Sequence, residues 1–458
     1  MKRLSMTHAS SGAWFALALG FSTIAPAADL LEVYRDAKGY DAGYAAARAL
    51  HEAGREKLAQ GRAQILPSVN LSANATRTNL DARYDPSPLV PRIDQRHFDT
   101  NGYALTLTQP LFRRQNFIQY SQADYLLQQS EAAFGSAGQD LILRTSQAYF
   151  DVLASQDALT LVRAQKAAIA QQLAQAKQNF EVGTATITDT HEAQARYDLI
   201  AAQEIAAQND FEVRSRILTQ IAGKTYGALE PLREKLLLPA PNADELPRWL
   251  DLGENQSFAV LTQRAQVELQ TLEVKRNSAG HYPTLDFVAS YGDVDQTGAI
   301  LAPISGRITT GTVGLQFNLP LYAGGIVASR TREAAALLDK ARADLDNVRR
   351  SQALAVQQSF LGVISGINQV RALEQAQTSS ESALASNRLG YDVGVRVNID
   401  VLNAQQQLYS TRRDLATARY NTIMNQLRLR ASVGALGEED VVEINGALSA
   451  PTPEPLTR

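Results

Sequence analysis

Four stretches of the chain alternate apolar and polar residues with a period of two, the mark of strands with two unlike faces. Val69, Leu71, Ala73 and Ala75 alternate with Asn70, Ser72, Asn74 and Thr76, and Tyr103, Leu105 and Leu107 interleave with Thr106 and Thr108. Further on, Leu285, Phe287, Ala289 and Tyr291 form a third set, and Val313, Leu315, Phe317 and Leu319 a fourth around Gly314, Gln316 and Asn318. Each predicted strand spans about 9 to 11 residues, enough to cross a hydrocarbon layer when tilted, with one face for lipid and one for water. A soluble sandwich would turn the same apolar faces inward, but four strands bury too little for that when everything else reads as helix. Four strands also cannot close a barrel alone, so lipid-facing edges must be paired between chains.

The remaining pattern is helical and long. Between Pro110 and Gly183, and again between Pro320 and Gly394, no proline interrupts a run rich in Ala, Gln, Leu, Ser and Arg. At 1.5 Å per residue, such runs reach roughly 100 Å. Leu159, Val162, Lys166, Ile169, Leu173, Ala176 and Phe180 step by three and four, the narrow stripe of a coiled-coil seam. Ile200, Glu204, Ala207, Phe211, Arg214 and Leu218 predict a matching stripe on a returning arm. Val182-Gly183 and Val393-Gly394 stand at the reversals, where glycine suits the left-handed residue that ends a helix.

A long-period repeat organises these elements. Gln147, Tyr149, Val152, Val182, Gly183, Asp189, Ala193, Gln194 and Gly223 return 211 positions later as Gln358, Phe360, Val363, Val393, Gly394, Asp400, Ala404, Gln405 and Gly434. The chain is therefore read as a tandem duplication with a leader at 1–27, repeats at 28–222 and 256–434, a linker at 223–255 and a C-terminal segment at 435–458. Each repeat should run helix, strand pair, long helix, returning helix. The linker, with Pro231, Pro239, Pro241 and Pro247 near it, is expected to pack as a mixed belt outside the long helices.

The leader reading rests on order. Lys2 and Arg3 are followed by an apolar run from Ala13 to Phe21 and by Ala25-Pro26-Ala27, a small-x-small cleavage site. Cleavage there would remove two of the 44 basic residues and none of the 47 acidic ones, taking the net charge from −3 to −5. Such a balance offers no basic field for nucleic acid. The absence of cysteine among 458 residues excludes disulfides, thiolate metal sites and a lipidated N-terminal cysteine.

Motifs for catalysis fail one by one. Gly223-Lys224-Thr225 ends like a phosphate-binding loop, yet Leu218 occupies the first required glycine. His51-Glu52 and His191-Glu192 begin a zinc-protease pattern, but Arg55 and Ala195 stand where the second histidine belongs. No nucleophile elbow or dinucleotide turn occurs. No enzyme, cofactor or metal is expected.

Two motifs carry a resemblance. The run from Tyr391 to Gln405, with Gly394, Arg396 and Asp400, and the run from Phe180 to Asp189 resemble the two tip motifs of the TolC family of outer-membrane export ducts. The likeness extends from about Leu30 to Leu448. It implies a mixed α/β membrane protein: a homotrimer whose 12-stranded barrel, four strands per chain, continues into a long helical coiled-coil barrel across the periplasm. It implies recruitment by a periplasmic adaptor and an inner-membrane exporter, either ABC-type or proton-driven, for protein secretion, drug efflux or both. By position it assigns Tyr391 and Arg396 to bonds that shut the tip, with Asp189, Thr188 and Gln172 as acceptors, and Asp400 to an acidic lumen ring. Asn403 stands where some members have a second aspartate. Thr188 and Asp189 are equally suited to capping a helix. A soluble coiled-coil scaffold is the alternative.

Overall fold

A computed structural model describes residues 27–83, 93–233, 242–298 and 305–448. Nearly all of the leader, Pro239 and Pro241 of the linker, and the tail from 449 lie outside them. The elements run α1 (Leu30–Tyr40), α2 (Ala42–Ala63), β1 (Ser68–Arg83), β2 (Ile93–Arg113), α3 (Arg114–Glu181), α4 (Ile187–Ala222), α5 (Leu246–Gln256), α6 (Phe258–Ser278), β3 (Thr284–Gln296), β4 (Gly306–Asn318), α7 (Ile326–Asp392), α8 (Asn398–Ser432) and α9 (Glu438–Asn445). Helix, strand pair, long helix and returning helix thus occur in that order twice.

The four strands form one antiparallel sheet in the order β1-β2-β3-β4. They are longer than the alternation alone predicts: 16, 21, 13 and 13 residues. The extra length is polar, and cross-strand pairs hold it. Arg77 binds Asp99 through two bonds of 2.7 and 2.8 Å, and His97 Nδ1 lies 2.7 Å from Asn79 Oδ1. Hydrogen bonding between strands does not depend on hydrophobic alternation, so pairing continues where the apolar pattern stops. At the opposite end Arg113 grips Asp286, which is 5% exposed, just before β2 passes into α3.

The sheet is open. Its outer strands β1 and β4 have free edges within the chain, and β4 is exposed along its whole length. Leu71 on β1 and Val313, Leu315 and Phe317 on β4 are 63 to 75% exposed, apolar side chains at the two edge strands of the kind that mark an interface. Among the described residues, no helix is long and apolar enough to cross a membrane.

α3 and α7 contain 68 and 67 residues, each roughly 100 Å long. α4 returns along α3 and α8 along α7. The predicted seams meet: Lys166 of α3 donates to Glu204 of α4 at 2.8 Å, and Leu159, Ile169, Leu173, Ala176, Ile200 and Leu218 are buried. Lys166 holds the Glu204 carboxyl below its usual range.

The core is divided in three. The largest cluster, around Tyr149, Phe150, Leu153, Ile423 and Leu427, joins α1, α3, α8 and the chain's three connecting segments. Ala28 pairs with Leu229 and Leu232 with Leu448, so the segments before α1, after α4 and after α9 converge on one belt. There the Tyr149 hydroxyl lies 3.2 Å from the Ala28 carbonyl and 2.8 Å from that of Glu230. A second cluster packs α5 on α7 through Trp249, Phe360 and Val363. The third sits between the helices near their far ends.

Candidate functional site

Both helical hairpins reverse at the end remote from the sheet, and the two reversals touch. α3 stops at Gly183, φ 78°, with Thr184 N–H bonded to Asn179 O at 2.8 Å. α7 stops in the same way at Gly394, φ 81°, with Val395 N–H bonded to Gly390 O at 2.9 Å. A Cβ at either glycine would meet nothing within 4 Å, so backbone handedness and not crowding selects glycine.

The helices that leave these turns begin differently. Thr186 caps α4 and Asp189 bonds back to it, the carboxylate accepting from the Thr186 N–H at 3.0 Å and hydroxyl at 2.8 Å. Asp189 is therefore occupied within its own turn, and the cap is Thr186, not Thr188, which is exposed in the first turn of α4. In the second hairpin the equivalent cap position is Val397, which has no side-chain acceptor. Asp400 is thereby left outside a capping box and faces Arg396 at 3.6 Å, a loose ion pair on a half-exposed surface.

Several side-chain hydrogen bonds join the hairpins near the tip, among them a long one from Asn398 Nδ2 to the Asp189 carbonyl at 3.5 Å. Tyr391 OH accepts from Asn179 Nδ2 at 3.1 Å. Gln172 Nε2 donates to Asn398 Oδ1 at 2.5 Å, with both residues buried. Arg196 of α4 reaches Gln406 and Asn403 of α8 at 2.7 and 3.1 Å. Within one chain, then, Tyr391, Arg396 and Gln172 all lie at the contact, but their partners are Asn179, Asp400 and Asn398. Neither Asp189 nor Thr188 receives a bond from Tyr391 or Arg396 inside the chain. Between the reversals a cleft of about 610 Å³ is lined by Gln175, Asn179, Asp189, Tyr391, Arg396 and Asn398.

Asn398, Asn179 and Arg196 were not legible as site residues. Asn398 did carry a signal, since it is a polar residue between Val397 and Ile399 at the very start of a helix. Higher up, Tyr420 OH donates to Asp157 Oδ2 at 2.6 Å and ties α8 to α3. Burial pushes the Asp157 carboxyl above its usual range, and the tyrosine bond opposes that shift.

These groups can fasten two hairpins together and can place charge near a tip. Among the described residues, no group of three or more His, Cys, Asp or Glu is placed to hold a metal. An open lipid-suited sheet continuing into roughly 100 Å of helical hairpin defines an outer-membrane channel subunit. The sequence comparisons agree: the family described as outer membrane efflux protein matches residues 34–224 and 249–435, and the chain belongs to it. It is 32% identical over 423 residues to the outer membrane protein TolC of Vibrio cholerae, covering 92% of this chain and 94% of that one. It is 33% identical over 414 residues to the alkaline protease secretion protein AprF of Pseudomonas aeruginosa, covering 90% and 85%. Among solved structures, the Campylobacter jejuni CmeC outer membrane channel superposes with a TM-score of 0.75 at 15% identity, covering 98% of both chains. The protein is thus a passive outer-membrane transport component and not an enzyme.

Proposed function

We propose that three copies of this chain form one exit duct, with the tips of α3/α4 and α7/α8 as its resting gate. The observation that carries this reading is the open four-stranded sheet, whose exposed apolar face and unpaired β1 and β4 edges are intolerable in lipid unless β1 of one copy pairs with β4 of the next. Three such sheets give 12 strands, and the two tandem repeats of each chain, 28–222 and 256–434, give a tunnel wall of alternating hairpins. In this arrangement Tyr391 and Arg396, which lie partly or largely exposed at the tip, face Asp189 and Thr188 of a neighbouring copy, whereas Gln172 stays buried against Asn398 of its own chain. Three Asp400 carboxylates would face the axis as one ring, since Asn403 is neutral.

A periplasmic adaptor and an inner-membrane exporter recruit the duct and open it. Type I protein secretion is the favoured task, because AprF is by its name a protease secretion protein. The exposed sheet argues against a soluble scaffold. The test is the mass of the detergent-solubilised complex together with conductance in planar bilayers. A three-chain species whose conductance rises in a tip variant such as Asn398→Ala is expected; a monodisperse monomer, or a trimer in which no tip variant raises conductance, would sink the proposal.

A further inference from the structure

The duplicated Ala-Gln pair differs between the two hairpins. Gln194 of α4 is half-buried and donates to Asp198, one turn on, at 2.9 Å. Its equivalent 211 positions later, Gln405 of α8, is 1% exposed, and neither its amide oxygen nor its amide nitrogen has a partner. The residue equivalent to Asp198 is Tyr409, which faces Arg412 and supplies no carboxylate. The second copy has the glutamine without the acceptor.

The position matters because of what shares its stripe. Gln405 stands one heptad beyond Asn398, so both lie on one face of α8. Asn398 is satisfied there by Gln172 of α3, whereas Leu402 between them packs on Ile169, Leu173, Ala193 and Ile200 of the first hairpin. A buried amide without partners disfavours the packed arrangement and gains water bonds when the seam parts.

On the reading that the tips form a gate, we infer that Gln405 is a positioning residue that biases α8 toward release from α3/α4. Asn398 latches the first turn of α8, and Gln405 weakens the seam directly behind the latch. The bias is confined to the second hairpin, because Gln194 is satisfied in the first.

The experiment replaces the amide and keeps its shape. Gln405→Met preserves the unbranched side chain, and Gln405→Leu is the second variant should methionine pack poorly. Hydrogen–deuterium exchange of the full-length detergent-solubilised protein is followed over 398–411, with 258–278 as internal reference. Exchange over 398–411 should slow about tenfold in Gln405→Met, with the reference unchanged. In bilayers, the open-to-shut ratio of Asn398→Ala channels should fall about 10³-fold when Gln405→Met is added, about tenfold for each of the three chains. Unchanged or faster exchange over 398–411 in both folded variants would overturn the inference. That result is separable from failure of the gate reading, which would show as slowed exchange in Gln405→Met while Asn398→Ala conducts no better than wild type.

Discussion

Asn398→Ala should open the resting tip more than any change to Tyr391 or Arg396. The substitution removes the acceptor at 2.5 Å and leaves the Gln172 amide, 6% exposed, without its partner. Stranding a buried donor costs about 1–3 kcal/mol. Over three chains that is roughly 3–9 kcal/mol, and a central value of about 6 moves the shut-to-open ratio about 10⁴-fold. Tyr391→Phe removes a half-buried neutral bond worth about 1 kcal/mol per chain. Arg396→Ser removes an exposed pair at i and i+4, about 0.3–0.5 kcal/mol. Because the Arg396–Asp400 pair lies within one hairpin and only the Tyr391 bond crosses to the other, the two changes together shift the equilibrium by about 3 kcal/mol in a trimer, roughly 10²-fold. Single-channel conductance of the Asn398→Ala protein and of the Tyr391→Phe, Arg396→Ser protein, recorded side by side, checks the order. A Tyr391/Arg396 variant that conducts while Asn398→Ala stays shut would show that contacts between copies lock the aperture and that the bond within the chain is incidental.

Three further outcomes are expected. Asp400→Asn should relieve most of the block of conductance by trivalent or hexavalent cations, and added salt should mimic it, because exposed charges are screened over about 8–10 Å; Asn403→Asp should strengthen block only slightly, as Arg196 lies 3.1 Å from that side chain and would neutralise the new carboxylate. Tyr420→Phe should lower thermal stability by about 1.5–3 kcal/mol by removing the bond to Asp157. Burial raises the folded pKa of Asp157, so ionisation of this group weakens the fold as pH rises through that value; the variant raises it further, and its deficit against wild type should shrink on acidification, as melting curves across pH would show. Gly394→Ala, placing Cβ at φ 81° in open space, should cost about 1–2 kcal/mol through backbone strain alone, read as a lowered melting temperature without loss of assembly.

Period and spacing made most of the architecture readable. Alternation located the four strands because one face had to suit lipid, and steps of three and four located seams because Lys166 and Glu204 had to meet across them. Strand ends were not readable: from Arg77 to Arg83 the pairing is held by backbone bonds and polar cross-strand contacts that leave no hydrophobic trace. The tip residues were identified by position, but their partners depend on three-dimensional neighbours. Asp189 was equally suited to a gate or to a cap, and within the chain it serves the cap because Thr186 lies three residues before it. Tyr391 meets Asn179, and nothing about Asn179 in a run of helix-forming residues sets it apart.

The belt where the segments before α1, after α4 and after α9 converge fixes where motion can begin. With Phe150 clamped in that belt and Glu181 at the last turn of α3, the free arm is about 31 residues, or ~47 Å, at 1.5 Å per residue. Such an arm is a lever with its fulcrum at the belt. A tilt of ~5° there carries the tip through ~4 Å, more than the reach of any hydrogen bond across it. On the proposed gate reading, a recruiting partner therefore has no need to unfold or rebuild the tip: a small rotation imposed along the arm breaks the bonds between the two hairpin tips at once, and release lets the packed belt return the arm to rest.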